Sequence, residues 1–231
     1  MNETEMQQML LTAQAIFNQP EREGADQIKL WQLAMQLAQA EYPPAKDLVA
    51  ACLEEMQQAL AQAQVARDNP EPGHKELDKV RWQMHDLAEA QYQPAIEFFA
   101  SCFDHEYSEW RLASVRDVGF HYPLTPDSPV TEKIRQLLLN DPDDGVRHAA
   151  AFVLSSRSRW PDSALSTALY CDPDDYVRNA AFQALLELAG VPYLVACREY
   201  RRAKSGEIQP TWDEIKRIVI EAGIDPATLG F

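Results

Sequence analysis

Two stretches of the chain hold carboxylates and guanidinium groups in one register. Asp141-Pro142-Asp143-Asp144-Gly145-Val146-Arg147-His148-Ala149-Ala150 is matched 31 positions later (147 to 178) by Asp172-Pro173-Asp174-Asp175-Tyr176-Val177-Arg178-Asn179-Ala180-Ala181. Acids and bases repeated at fixed spacing are the raw material of an acid–base array or of an anion clamp. The same groups can instead pair between neighbouring elements and fix their register. The remaining candidates are sparse. Of the histidines His74, His85, His105, His121 and His148, only His105 is followed by a glutamate, and one His-Glu dipeptide cannot hold a dinuclear metal site. Cys52, Cys102, Cys171 and Cys197 are too far apart for zinc-binding pairs. No nucleophile elbow, phosphate loop or dinucleotide fingerprint is present. One basic cluster stands out, Arg198-Glu199-Tyr200-Arg201-Arg202-Ala203-Lys204. It could grip phosphate or an acidic partner, or neutralise acidic neighbours on the protein itself.

Composition narrows the field. With 46% hydrophobic and 25% charged residues over 231 positions, the chain is globular. Only 8 glycines argue against an all-β fold and against glycine-rich phosphate loops. The balance of 21 basic against 36 acidic residues gives a net charge of −15, which repels a nucleic-acid backbone. The acidic, polar start Met1-Asn2-Glu3-Thr4-Glu5-Met6 does not resemble a secretory signal. No apolar run approaches the ~20 residues of a membrane span. The expectation is a cytoplasmic protein that does not cross a membrane, with the four cysteines as buried free thiols inside apolar helical patterns.

Apolar spacing reads as helix almost throughout, with no sustained alternation of period two. Met6, Met9, Leu10, Ala13 and Phe17 mark a first helix over 3–18. Ile28, Trp31, Leu33 and Leu37 mark a second over 24–41. After Tyr42-Pro43-Pro44, a third holds Leu48, Cys52, Leu53 and Met56 and continues to Arg67. Asp68-Asn69-Pro70-Glu71-Pro72-Gly73 is the clearest linker. Helices resume near Lys75 and again after Gln93-Pro94. Ala40-Glu41-Tyr42-Pro43-Pro44-Ala45 is echoed 50 positions later (42 to 92) by Ala90-Gln91-Tyr92-Gln93-Pro94-Ala95, as Leu37 is by Leu87 and Cys52 by Cys102.

The 31-residue copies extend beyond their matched turns. Ile134 and Leu138 correspond to Leu165 and Leu169, and a worn third copy, Glu109-Trp110-Arg111-Leu112-Ala113, lies 36 positions upstream (147 to 111). Each unit reads as one helix, an Asp-Pro turn, and a second helix with acidic residues in its first turn. Val146, Ala149, Ala150, Val153 and Leu154 form an i, i+3, i+4, i+7, i+8 stripe, repeated by Val177, Ala180, Ala181, Ala184 and Leu185. A helix pair of this kind buries its apolar faces only by stacking on a neighbour.

The pattern D-x-(D/E)-x-x-V-R-x-x-A-x-x-(A/V)-L over Asp141–Leu154 and Asp172–Leu185 resembles the HEAT-repeat family, in the short form of phycobilisome-lyase-type repeats. The resemblance covers residues 130–188 best and 94–120 in part. It implies an all-α, right-handed solenoid of antiparallel helix pairs, about a dozen helices in all. Residues 1–70 would be divergent helical repeats, continuous with HEAT-like repeats over 74–231. Asp141, Arg147, Asp172 and Arg178 would form a structural ladder between units. The implied function is non-catalytic protein–protein binding without a cofactor. Two rivals follow from the same resemblance: a bilin lyase or bilin-binding protein, and a HEAT-like DNA glycosylase, which the net charge opposes. Deoxyhypusine hydroxylases, related enzymes that hold di-iron through several His-Glu pairs, are excluded by the single pair at His105-Glu106.

A helical wheel places the expected binding surface. With Val146, Ala149, Ala150 and Val153 on the buried side, His148 and Phe152 fall roughly opposite. Adding 31 gives Asn179 and Gln183, and subtracting 36 from Phe152 gives Arg116. In HEAT-like proteins the second helices line the concave docking side. Arg116, His148, Phe152, Asn179 and Gln183 are therefore expected to share one partner-binding strip.

Overall fold

The computed structural model describes residues 1–20, 22, 24–68 and 74–230, without the side chains of 74–79. Among them are twelve α-helices, two short 3₁₀ turns and no strand, the all-α class that the periodicity predicts. From Asn69 onward the expected linker lies outside the described residues. The chain divides into two compact units, Met1–Cys102 and Phe103–Phe231. No helix among the described residues is long and apolar enough to cross a membrane.

The first unit holds α1 (Glu3–Phe17), α2 (Gly24–Gln39), α3 (Lys46–Asp68), α4 (His74–Glu89) and α5 (Ala95–Cys102). Helix α1 opens with a capping box: Asn2 accepts the Glu5 N–H, and Glu5 accepts the Asn2 N–H. The copies 50 residues apart fold alike. Glu41 and Gln91 both adopt left-handed backbone, with φ of 48° and 54°. In each turn the tyrosine N–H returns to a leucine carbonyl five residues back, Tyr42 to Leu37 at 3.2 Å and Tyr92 to Leu87 at 3.0 Å. This is the Schellman closure of a helix C-terminus, here without the usual glycine. Leu37, Leu87, Ala45, Ala95, Cys52 and Cys102 are all fully buried. A polar knot ties α2 to α3, where Arg22, Gln27 and Trp31 all donate to Glu55. Burial raises the Glu55 pKa, but those hydrogen bonds outweigh it and hold the group below its usual range.

The second unit holds α6 (Ser108–His121), α7 (Pro129–Asn140), α8 (Asp144–Arg157), α9 (Ser163–Cys171), α10 (Asp175–Leu188), α11 (Tyr193–Lys204) and α12 (Trp212–Glu221). Helix α7 packs on α8 and α9 on α10, while α8 lies between α6 and α10. The apolar stripes of α8 and α10 are buried as the wheel requires. Aspartates start three of these helices: Asp143 accepts the Val146 N–H, Asp162 those of Ala164 and Leu165, and Asp174 that of Tyr176. Helices α6 and α8 approach closely at Gly119, where a Cβ would stand 2.3 Å from a Val153 methyl.

Arginine–aspartate pairs join successive turns. Arg147 donates to Asp172 from Nε at 2.8 Å and from Nη2 at 3.1 Å, and its Nη1 caps the carbonyls of Asp141 and Pro142. Arg111 repeats this geometry one unit earlier. It donates to Asp141 at 2.7 and 2.8 Å and caps the carbonyls of His105 and Glu106. The worn third copy therefore contributes a full rung. The two aspartates also accept the N–H groups of Asp143 and Asp174, so each shapes its own turn while receiving the preceding arginine. Arg178 differs. It caps the Asp172 carbonyl at 2.5 Å and turns back to Asp175 within its own helix.

Two measurements check this packing. Arg147→Ala leaves Asp172 buried without its cation and should lower unfolding free energy by about 3 kcal/mol in urea titration. Arg178→Ala, which spans no interface, should cost about 1 kcal/mol. Equal losses would contradict the distinction between the two arginines. Gly119→Ala should cost about 1–3 kcal/mol through overpacking, and Val153→Ala in the same chain should recover part of that loss. Strict additivity of the two changes would place the clash elsewhere.

Candidate functional site

The ladder holds Arg147 on the inner side of α8 and so turns the next residue, His148, towards α10 and the outer face. One turn on, Phe152 lies on the same side of α8. The rings meet edge to face with centroids 4.8 Å apart. Tyr176, at the start of α10, stacks flat on His148 at 3.5 Å and 7°. Tyr200 of α11 stands edge-on to Phe152 at 6.1 Å, and Lys204, one turn beyond Tyr200, places its Nζ 5.6 Å from the Tyr176 centroid. Five side chains from three helices thus form one chain of contacts, from Tyr200 through Phe152, His148 and Tyr176 to Lys204.

Its electrostatics run against the rest of the molecule. Burial, then the charges of Arg116 and Lys204, push the His148 pKa down to about 4, while Asp174 opposes them weakly. The imidazole is therefore neutral at pH 7, and its Nε2 is buried without a hydrogen-bond partner among the described residues. Burial, followed by the proximity of Tyr176, pushes the Tyr200 hydroxyl up. Arg116 and Lys204 are exposed and form no ion pair among the described residues. An aromatic patch bordered by two unspent cations can take an anionic group together with an apolar or aromatic one.

The expected strip divides. Arg116, His148 and Phe152 lie in or beside the patch. Asn179 and Gln183 are buried, at 6% and 3% exposure. Helix α10 is covered by α8, α9, α11 and α12, and Gln183 is spent on Glu187 at 2.7 Å and on the Cys197 sulfur. These two residues line the packing between helices and offer no open surface. The basic cluster also divides. Glu199 is 1% exposed and takes Arg198 and Arg202, each at 2.7 Å, so those arginines neutralise a buried acid. Lys204 joins the patch instead. The ladder residues Asp141, Arg147 and Asp172 are buried in their turns, as described above.

The other candidates are placed as follows. His105 accepts the Tyr107 N–H on Nδ1 at 3.1 Å and packs against Tyr107 and Trp110, in the turn before α6. Cys52 and Cys102 are buried, whereas Cys171 is exposed and Cys197 half-buried, so the expectation of four buried thiols fails at the end of α9 and within α11. At Cys171 the exposed end of α9 leaves the sulfur uncovered. A cleft of about 560 Å³ between Trp160 and Trp212 is lined by hydroxyl and apolar groups and carries no charged side chain.

Tyr176, Tyr200 and Lys204 were outside the expected strip. Tyr176 had a signal: it replaces Gly145 within an otherwise matched turn, an aromatic where the repeat needs none. Tyr200 and Lys204 sit in the basic cluster, but their approach to α8 depends on the packing of α11. No protein-family model, curated protein or solved structure matches the chain.

The His148 environment sets a pH dependence. Its folded pKa lies below the unfolded value of 6.5, so the unfolded state binds the proton first as pH falls. The stability this neutral ring supports is complete above pH 6.5 and declines towards pH 4. Allowing for partial solvent screening, about 1 kcal/mol should be lost by pH 5. His148→Phe keeps a ring in the stack and should flatten that part of the stability–pH curve. Parallel curves for the two proteins would show that His148 titrates normally.

Proposed function

We propose that the chain is a HEAT-like repeat scaffold, without catalysis of its own, that docks a protein partner in the cytoplasm. The observation that carries this reading is the aromatic–cationic patch of His148, Phe152, Tyr176, Tyr200, Arg116 and Lys204, mounted on helices held in register by buried arginine–aspartate pairs. Aromatic side chains and arginine on a rigid support are what protein interfaces concentrate at their energetic centres. The recurrence of the turn geometry at Arg111 and Arg147 supports stacking of equivalent helix pairs, as in a right-handed solenoid. The second helices α6 and α8, with the first turn of α10, would supply its docking side, and α11 would contribute the last ring.

A photo-reactive phenylalanine analogue in place of Phe152, activated in the native cell, tests the reading. The expected result is one predominant protein adduct, lost when His148→Ala is added and absent when the same analogue replaces the exposed Val65. The adduct protein should then bind the purified chain, with at least about tenfold weaker affinity for Phe152→Ala, the effect of removing one interface anchor. Identical adducts from both positions, or undiminished affinity for Phe152→Ala with the helical content intact, would remove this face from the docking reading.

A further inference from the structure

We infer that the patch on α8, α10 and α11 recognises an acidic protein segment bearing an aromatic side chain, with carboxylates on Arg116 and Lys204 and the ring against Phe152, Tyr176 and Tyr200. This inference rests on the docking reading above and names the chemistry of its partner.

Charge complementarity carries the first half. The chain has a net charge of −15, and the cations buried or half-buried in the second unit are committed: Arg111 to Asp141, Arg147 to Asp172, Arg135 to Asp162, Arg202 to Glu199; of the exposed cations, Arg201 and Lys216 also form no ion pair among the described residues but stand beside no ring of this patch. Arg116 and Lys204 hold no such pair among the described residues; the charge of each acts on the His148 imidazole, and Lys204 Nζ stands 5.6 Å from the Tyr176 centroid. In a protein with 15 more acids than bases, two cations without an ion pair beside one aromatic group, opposed there by Asp174, make this a less negative spot than the surface average. That favours an anionic group at this spot.

Ring geometry carries the second half. Tyr176 is 39% exposed although one face is stacked on His148, and Lys204 Nζ stands 5.6 Å from its centroid. Phe152 and Tyr200 are half-buried and meet edge-on, leaving ring surface uncovered between α8 and α11. An incoming aromatic ring can pack edge to face on such a group while its neighbouring carboxylates reach the two cations. A bare carboxylate cluster would leave the rings unused, and an apolar segment would leave the cations unused.

The probe is a fluorescein-labelled random copolymer of glutamate and tyrosine, titrated with the full chain and followed by fluorescence anisotropy. The expected result is saturable binding that weakens with added salt. Charge reversal by Arg116→Glu or Lys204→Glu should weaken it by about tenfold or more, since both residues are exposed and the core is untouched. Arg159→Glu, an equal change in net charge at an exposed ion pair with Asp127, should leave affinity unchanged. Polyglutamate without tyrosine should bind about tenfold more weakly than the copolymer, because it engages no ring. Equal binding of both polymers, equal sensitivity to Arg159→Glu, or no copolymer binding at all would overturn the assignment. Tighter binding of single-stranded oligodeoxythymidine would overturn it in favour of a nucleic-acid site. If the copolymer fails while the Phe152 adduct still depends on His148, the ligand chemistry is wrong and the docking reading survives. If both fail, both fall.

Discussion

The bidentate pairing of an arginine with an aspartate of the following turn is the constraint on which the second unit depends. Arg111 with Asp141 and Arg147 with Asp172 are almost entirely out of water, where an unpaired charge costs several kcal/mol and a slipped register would strand two of them. The third guanidinium nitrogen closes the turn preceding its own helix, so one side chain sets both the local turn and the contact to the next unit. Apolar stripes drive α8 against its neighbours but are tolerant of sliding. The planar fork of arginine is not. Everything on the outer face of α8, including the stack of His148 on Tyr176, inherits its position from that pairing.

The two units solve the problem of repetition differently. In the first, copies 50 residues apart share a tyrosine-bearing helix end, with Glu41 and Gln91 accepting left-handed backbone that glycine would adopt more readily. In the second, the shared element is an aspartate turn with its own hydrogen-bonded loop and a helix start capped by a second aspartate. The first relies on backbone closure and buried apolar groups, the second on buried charge. One close approach, Gly119 against Val153, brings α6 and α8 together where any side chain would hold them apart.

What could be read from the sequence follows the range of each interaction. The helices, the Asp-Pro turns and the core stripes are local periodicities and stand where their spacing puts them. The rungs at Asp141, Arg147 and Asp172 were legible because they repeat at fixed offsets, and even the worn copy at Arg111 keeps its role; Arg178, expected among them, is the exception, since no aspartate of a following turn meets it and it turns back to Asp175. Asn179 and Gln183 were misplaced because a wheel drawn on α10 alone cannot know that α11 and α12 cover its far side. Tyr200 and Lys204 reach the patch through that same packing. His148 and Phe152 lie on the side of α8 where the wheel puts them, because their position is fixed by the residue beside them, Arg147, whose partner the repeat reveals.

The ladder also bears on self-association. Arginine-to-next-aspartate contacts are head-to-tail, and a head-to-tail interface that does not close on itself builds open fibres. Here both ends are chemically blunt. The position equivalent to Asp141 and Asp172 in the earlier copy is His105, which offers no carboxylate to an arginine from another molecule. At the other end, Arg178 folds back onto Asp175, and the site 31 residues beyond Asp172 is Ala203. The contact that joins one unit to the next inside the molecule thus lacks a donor at one end and an acceptor at the other, so the rung chemistry of the interior is not offered at either end of the repeat.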